Sequence, residues 1–207
     1  MLPEAFVESL HRLGLEGSRL STVVEQFLRY RQELLDWNTR INLTAITDPE
    51  EVLFKHFLDS LSLLLAYDKP QCRLLDIGSG AGFPGLPLKI VRLQWQVTLL
   101  EATGKKVTFL RHMIEALQLE GVEAVHGRAE ELAHSQEYRA SFDVVTARRR
   151  ISPYSSGVCR AVLPRGRSNH PPEKRRVGQG VGTGKTCSTS AWACVQGRCR
   201  CDVTRSC

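Results

Sequence analysis

The sequence lacks any long apolar run, and most of it lacks cysteine. No stretch approaches the roughly 18 to 20 apolar residues of a membrane-spanning helix, and the first residues, Met1-Leu-Pro-Glu-Ala, lack the basic-then-apolar order of a secretory signal. Only Cys72 lies in the first 148 residues, which excludes a disulfide framework there and fits one small core thiol in a reduced compartment. We therefore expect a cytoplasmic protein that makes no membrane contact.

Excess positive charge is also missing from most of the chain, although the formal net charge is +6. Residues 1–148 hold 16 Lys and Arg against 20 Asp and Glu, a net charge of −4. Residues 149–207, hereafter the tail, hold 12 against 2, a net charge of +10, and six of the seven cysteines. A chain of 207 residues has room for one α/β domain and a small appendage rather than two full domains.

The first 70 residues predict an N-terminal helical cap. Apolar residues recur at steps of three and four from Pro3 to about Asn38, with a break near Gly14–Ser18, as in amphipathic helices. Asp48 then precedes proline and two glutamates, which is typical of a helix start. We expect this next helix to run from Pro49 to about Tyr67.

Residues 71–148 alternate between strand and helix patterns and predict the core of the protein. Strands are expected at 73–77, 96–101, 122–126 and 142–146, with helices at 86–91 and 105–117. Such alternation predicts an α/β fold with a parallel, doubly wound sheet and right-handed crossovers.

The pattern stops after Arg148. The tail shows no sustained period of 2 or 3.6 residues and cannot bury enough apolar surface to offset chain entropy, so we expect disorder there. The sheet would then be incomplete at its C-terminal side and its fourth strand an exposed edge. Because charge, cysteine content and periodicity all change at one point, we hypothesise a frameshifted or otherwise aberrant tail, which sequencing across codon 148 would test.

A glycine-rich loop follows the first strand, and its glycines are Gly78, Gly80 and Gly82. They follow G-x-G-x-G, whereas a dinucleotide fingerprint needs a glycine where Phe83 stands. The shorter spacing is typical of S-adenosylmethionine sites, where a sharply turning backbone must approach the ligand without a Cβ in the way. We expect the loop to contact this cofactor and Asp76 to orient its amino group.

Glu101 ends the second strand about 20 residues beyond the glycines, where an acidic residue accepts both ribose hydroxyls. This second signal disfavours the alternative of an ordinary glycine turn. Ala129 and Glu130 follow the third strand and are candidates for adenine contacts, unless they only begin a solvated helix. Arg148 follows the fourth strand, which suits a phosphate or substrate contact as well as a surface ion pair.

Two apparent metal or phosphate motifs in the tail do not meet their spacing requirements. The segment 178–186 looks like a phosphate loop, but its first required glycine falls on Gln179. The late cysteines lack the C-x2-C spacing of structural zinc sites. His56 and His112 show no ligand spacing either, so we expect no metal.

Several motifs together carry a resemblance to one family. They are Trp37-Asn-Thr-Arg-Ile-Asn-Leu-Thr-Ala45, Lys55-His-Phe-Leu-Asp-Ser60, Leu75-Asp-Ile-Gly-Ser-Gly-Ala-Gly-Phe-Pro-Gly-Leu-Pro87, Glu101-Ala-Thr-Gly-Lys-Lys106 with Phe109-Leu-Arg111, and Thr146-Ala-Arg148. From about residue 20 to 148 the chain resembles the bacterial small-subunit ribosomal RNA methyltransferase G family, also called glucose-inhibited division protein B. The tail has no counterpart in that family.

The resemblance implies a Rossmann-like class I methyltransferase that transfers a methyl group from S-adenosylmethionine to N7 of a guanine in 16S ribosomal RNA, acting on that RNA or the small ribosomal subunit as a monomer. The implied cofactor contacts are Gly78, Phe83, Glu101, Ala102, Thr103, Ala129, Glu130 and Arg148. The resemblance also implies that Asn42-Leu-Thr44 and His56 to Ser60 line the same cleft. The candidates for positioning the substrate are Asn42, His56, Asp59, Ser60, Lys105, Lys106 and Arg148. The alternatives are a methyltransferase on another substrate, or a product that binds cofactor or RNA without turnover.

Overall fold

A computed structural model of the protein describes residues 2–134, 138, 141–147, 192–195 and 198–201. Its helices are α1 (Glu4–Arg12), α2 (Gly17–Asn38), α3 (Pro49–Val52), a π-helical turn (Leu53–Leu58), α4 (Asp59–Leu61), α5 (Leu63–Ala66), α6 (Gly85–Val91), α7 (Gly104–Ala116) and α8 (Ala129–His134). Its strands are β1 (Arg73–Ile77), β2 (Gln96–Glu101), β3 (Val122–His126), β4 (Val144–Ala147), β5 (Trp192–Val195) and β6 (Arg198–Cys201). The predicted α/β class is confirmed.

The strands form one sheet in the order β3-β2-β1-β4-β5-β6. The first four strands are parallel, and β1 lies between β2 and β4. In this register Ile77, the last residue of β1, stands beside Leu100 of β2 and Ala147 of β4. The glycine loop after β1 and the end of β2 therefore meet at the same edge of the sheet, where parallel α/β folds bind ligands.

Two predicted bounds need correction. The fourth strand begins at Val144, two residues later than expected, because Phe142 packs in the core and the Asp143 amide bonds the carbonyl of Arg73 before the ladder begins. The expected helix Pro49–Tyr67 is interrupted by the π-helical turn Leu53–Leu58. Periodicity could not reveal this turn, because one wide turn barely changes the spacing of apolar residues.

Eight residues of the tail form strands in the structure, whereas the disorder expected for the tail as a whole stays a prediction. Strands β5 and β6 form a hairpin, and β5 pairs antiparallel with β4, so β4 is not an exposed edge. A strand edge offers unpaired N–H and C=O groups, which another strand can satisfy whatever its apolar pattern. The remainder of the tail lies outside the described residues.

The cap and the sheet share one hydrophobic core. Its main cluster joins Phe27 of α2 and Phe57 of the π-helical turn to Leu99 of β2, while a smaller cluster around Leu75 covers the other face of the sheet. Cys72 is buried as expected, and burial raises the pKa of its thiol to about 12. Across the described ranges, no helix combines the length and hydropathy needed to cross a bilayer.

Helix α6, which follows the glycine loop, is anchored by two cations. The buried Lys89 ammonium donates hydrogen bonds of 2.6 Å to the carbonyls of Leu93 and Trp95, and burial lowers the pKa of this lysine. Arg19 of α2 donates to the carbonyl of Ile90 near the end of the helix. The Lys89 bonds hold the segment that follows α6. The Arg19 bond satisfies a carbonyl of the last helical turn and fixes α6 against the cap.

We expect Asp48→Ala to lower the free energy of unfolding by about 1 kcal/mol, because Asp48 is an N-cap residue. Its Oδ1 accepts hydrogen bonds from the backbone N–H of Glu50 (2.9 Å) and Glu51 (2.8 Å). Urea unfolding followed by circular dichroism would measure the loss. Asp48→Asn keeps the acceptor and should stay within about 0.5 kcal/mol of the original chain; equal losses in both variants would argue against the cap.

Candidate functional site

A cleft of about 390 Å³ opens at the carboxyl ends of β1 and β2. It is lined by Leu43, Thr44, His56, Gly78, Ser79, Gly80, Ala81, Phe83, Glu101, Thr103 and Lys106. Its volume lies in the range of small-ligand sites, about 300 to 1,000 Å³. The cleft therefore brings together parts of the glycine loop, the end of β2, the start of α7 and two segments of the cap.

The glycine loop has a conformation that side-chain-bearing residues rarely adopt. Gly78, Gly80 and Gly82 all have positive φ, at 69°, 60° and 94°. The N–H groups of Gly78 and Ser79 both donate to the carbonyl of Leu100, at 2.7 and 3.1 Å, which holds the loop against β2. A Cβ on Gly78 would meet no atom within 4 Å, so the backbone here faces open space. The loop can therefore be approached closely by a ligand.

Gly82 is required for a different reason, the close packing of the cap. A Cβ at this position would lie 2.7 Å from the hydroxyl oxygen of Tyr30 and 2.9 Å from Cγ of Leu86. The Tyr30 hydroxyl donates a 2.5 Å hydrogen bond to the carbonyl of Ala81. Helix α2 thus reaches the glycine loop only because residue 82 has no side chain.

The carboxylate of Glu101 joins the loops that follow β1 and β2. Its Oε2 accepts a 2.9 Å hydrogen bond from the N–H of Gly80, and its Oε1 accepts one of 2.9 Å from the N–H of Thr103. Glu101 is buried and lines the cleft. The carboxylate thus lies within hydrogen-bond distance of the glycine loop, and its contact with a ribose stays a prediction.

Asp76 lies beneath the loop and is fully buried. Its Oδ2 accepts a hydrogen bond from the N–H of Gly85 (3.1 Å), and its Oδ1 accepts one from the hydroxyl of Thr146 (3.2 Å). Asp76 is not among the residues that line the cleft. Its observed contacts hold α6 and β4 beside β1, and its contact with a cofactor stays a prediction.

The cap contributes the wall opposite β2. The ring of Phe83, at the end of the glycine loop, lies between His56 (centroids 4.6 Å apart, 20° between planes) and Tyr30 (5.5 Å, 16°). Nε2 of His56 lies 2.7 Å from the hydroxyl oxygen of Thr44. Asn38 holds the loop of Thr44, since its Oδ1 accepts from the N–H of Thr44 (3.0 Å) and its Nδ2 donates to the Thr44 carbonyl (3.0 Å).

The predicted substrate-positioning residues are only partly gathered at the cleft. His56 and Lys106 line it, whereas Lys105 is exposed at the start of α7. The buried Ser60 supports His56, because its hydroxyl donates a 2.6 Å hydrogen bond to the His56 carbonyl. Asn42 and Asp59 are exposed and are not lining residues.

The predicted cofactor contacts divide similarly. Ala102 is exposed and is not a lining residue, but its carbonyl lies 3.0 Å from Nε2 of His126. Ala129 and Glu130 begin α8, where Ala129 packs against the smaller core cluster and Glu130 is exposed. Arg148 lies outside the described residues, so its contacts stay predictions.

Sequence reasoning missed four contributors to the site. Ser79 and Ala81 line the cleft, and Asn38 and Tyr30 hold its walls in place. Tyr30 does share a helical face with Phe27 and Leu34, which marks it as buried. No local pattern indicates that its hydroxyl reaches a loop 51 residues away in sequence.

A parallel sheet whose central strand ends in a glycine loop, beside a strand whose terminal carboxylate contacts that loop, defines a Rossmann-like fold of the class I methyltransferase type. The family model for rRNA small subunit methyltransferase G matches residues 23–155. This match spans more than half of the chain, and the chain belongs to that family.

The curated proteins most relevant to this comparison carry the name of the same family. The ribosomal RNA small subunit methyltransferase G of Roseiflexus sp. (strain RS-1) is 54% identical over 125 residues, 60% of this chain and 53% of the relative. The protein of the same name from Streptococcus suis (strain 05ZYH33) is 47% identical over 150 residues, covering 72% and 62%. The chain thus spans between half and two thirds of these relatives. A solved SAM-dependent methyltransferase from Aquifex aeolicus is 18% identical, with a TM-score of 0.45 over 57% of this chain and 63% of that one.

We expect Gly82→Ala to lower the free energy of unfolding by about 2 to 4 kcal/mol, because the new Cβ combines a positive φ with overlap against Tyr30 and Leu86. Thermal and urea unfolding would measure the loss. Gly104→Ala is the matched control, since its Cβ would meet nothing closer than 3.9 Å at the first residue of α7. That variant should change stability by less than about 1 kcal/mol; similar losses in both variants would contradict the packing argument.

Proposed function

We propose that the chain binds S-adenosylmethionine in the cleft and transfers its methyl group to N7 of a guanine in 16S ribosomal RNA. One observation carries the cofactor part of this proposal: the Glu101 carboxylate lies within hydrogen-bond distance of the glycine loop that it was expected to face. Family membership supports the RNA part. Such a substrate also supports a cytoplasmic location.

The hydrogen-bonding capacity of Glu101 suits a ribose. Each carboxylate oxygen has two acceptor positions, and each uses one for the backbone N–H of Gly80 or Thr103. One acceptor position on each oxygen is left for the two hydroxyls of a ribose. Because backbone N–H groups hold the carboxylate, its orientation is fixed before any ligand arrives.

The glycine loop suits the other end of such a cofactor. The space beyond Gly78 is open, and the loop backbone is fixed by two bonds to Leu100, so an amino-acid group could approach the backbone itself. Ala129 and Glu130 are proposed to contact the adenine, and Ala102 the sugar side. Asp76, whose carboxylate also accepts a hydrogen bond from the N–H of Gly85, is proposed to orient the amino group of the cofactor.

The proposed reaction requires the two reactants to be positioned and requires no proton transfer by the protein. When bound, S-adenosylmethionine supplies an activated methyl group. Guanine N7 offers a free lone pair, so the chain needs no general base and its residues must align the two reactants. Lys106 lines the cleft, and its neighbour Lys105 is exposed. Both lysines, together with Arg148, are proposed to bind RNA phosphates at the entrance of the cleft.

The chain itself gives a reason to test turnover separately from binding. It spans between half and two thirds of the relatives described above, and the family match ends at residue 155. A product that binds cofactor or RNA without turnover is therefore the second candidate. The aberrant-tail hypothesis predicts this outcome, and the +10 tail would then bind RNA through phosphates, weakening steeply with salt and without sequence preference.

We expect Glu101→Gln to weaken binding of S-adenosylhomocysteine by about 10- to 100-fold, corresponding to the loss of one or two charge-assisted hydrogen bonds. Whichever way the amide is turned, its NH2 group must face the N–H of either Gly80 or Thr103. Isothermal titration calorimetry would measure the affinity. Glu115→Gln, on the exposed face of α7, should bind like the original chain. Unchanged binding by a folded Glu101→Gln variant would overturn the assignment of the sugar site.

Methyl transfer is tested with labelled S-adenosylmethionine and 16S rRNA or small subunits from a strain that lacks the endogenous enzyme. We expect label in the RNA, and digestion to nucleosides should identify 7-methylguanosine. Cofactor binding without label would favour the product without turnover. Label in protein or a small molecule, but not in this RNA, would favour a methyltransferase on another substrate.

A further inference from the structure

The π-helical turn Leu53–Leu58 places two consecutive side chains on the end of the glycine loop. Both His56 and Phe57 contact the ring of Phe83, with centroid distances of 4.6 and 5.7 Å. Consecutive residues of an α-helix are about 100° apart around its axis, and the wider π turn reduces that angle. Such turns occur often at functional sites. Here the turn brings His56 to the cleft while Phe57 remains in the core.

The hydroxyl of Thr44 has one hydrogen-bonding position to spare within its observed set of contacts. It accepts from the N–H of Ile46 at 3.0 Å and shares one hydrogen bond of 2.7 Å with Nε2 of His56. A hydroxyl has one donor and two acceptor positions. If His56 donates, the Thr44 proton is left to donate to another group; if His56 accepts, one Thr44 lone pair is left.

The position of this pair along the cleft limits what it can contact. The Glu101 carboxylate accepts a hydrogen bond from the N–H of Gly80, in the middle of the glycine loop. The ring of His56 stacks on Phe83, at the end of that loop. If Glu101 holds the sugar, as proposed above, Thr44 and His56 line a different part of the cleft from the sugar site. That part remains for the reacting end of the donor and the acceptor base.

We infer that the Thr44 hydroxyl hydrogen bonds to the acceptor nucleobase, and that His56 is a positioning residue that orients this hydroxyl. The inference rests on the proposed function and assigns to the cap a part of substrate recognition. A guanine presents O6 beside N7, both acceptors. The arrangement in which His56 donates to Thr44 leaves a hydroxyl proton that can bond O6 while N7 faces the methyl group.

The inference predicts that substitutions of Thr44 or His56 slow methyl transfer without lowering the affinity for the cofactor. For Thr44→Val we expect kcat/KM for 16S rRNA to fall by about 10- to 100-fold, as for one hydrogen bond in a closed site. The Kd for S-adenosylhomocysteine should change by less than about twofold. Thr44→Ser keeps the hydroxyl and should restore transfer to within about threefold of the original chain. Labelled methyl transfer and calorimetry measure the two quantities.

His56→Phe tests the positioning step, because it keeps a ring against Phe83 and removes the nitrogen that contacts Thr44. We expect a loss similar to that of Thr44→Val, and no further loss in the double variant, since both changes remove one interaction. Thr108→Val is the matched control: this threonine is exposed on α7, bonds only the Gly104 carbonyl among its recorded contacts and does not line the cleft.

The possible outcomes distinguish failure of the proposed function from failure of this inference alone. If the unsubstituted chain binds cofactor but labels no RNA, the proposed function fails and this inference with it. If that chain labels RNA and Thr44→Val does so equally well, only this inference is overturned. It is also overturned if the variants lose cofactor affinity and thermal stability in proportion to activity, or if Thr44→Ser fails to restore transfer.

Discussion

The site depends on one constraint: the carboxyl ends of two neighbouring parallel strands meet at the same edge of the sheet, where one carboxylate joins their loops. Glu101 accepts hydrogen bonds from the N–H groups of Gly80 and Thr103, so a single side chain fixes the loop after β1 relative to the loop after β2. Charge-assisted bonds of this kind are short and directional. The cleft consequently has a fixed wall with a defined anionic group, whatever the flanking helices do.

The second wall belongs to the cap. Sequence divides the chain near residue 70, but the hydrophobic core does not, because residues of α2 and of the sheet pack in one cluster. Tyr30 and His56 reach the glycine loop from two separate helical segments and enclose Phe83. The cap is therefore part of the binding site, and its removal would expose Phe83 and release the loop of Thr44.

The sheet shows that a strand edge can pair with a segment whose composition does not predict a strand. Its two described edges are β3 and β6, and the hairpin that contains β6 comes from a segment with no strand pattern. Backbone hydrogen bonds of β4 are available to any extended segment of suitable length. Eight residues of a basic, cysteine-rich tail thus pair with the sheet of the family core, although they lie beyond the end of the family match at residue 155.

The sequence by itself determined strands β1 to β3, the start of the helix after Asp48, and the part of the site formed by the glycine loop and Glu101. Apolar periodicity predicted β1, β2 and β3 to the residue, Asp48 was identified as a cap from its neighbours, and the glycine spacing together with Glu101 predicted the loop and its facing carboxylate. These features are local, or follow from the rule that parallel strands end together. Only the tertiary structure decided the rest: the π turn that aims His56, the reach of Tyr30, and the contact of Thr44 with His56. The π turn barely alters the spacing of apolar residues, and the contacts of Tyr30 and Thr44 join separate segments of the chain, so no short pattern of residues indicates them.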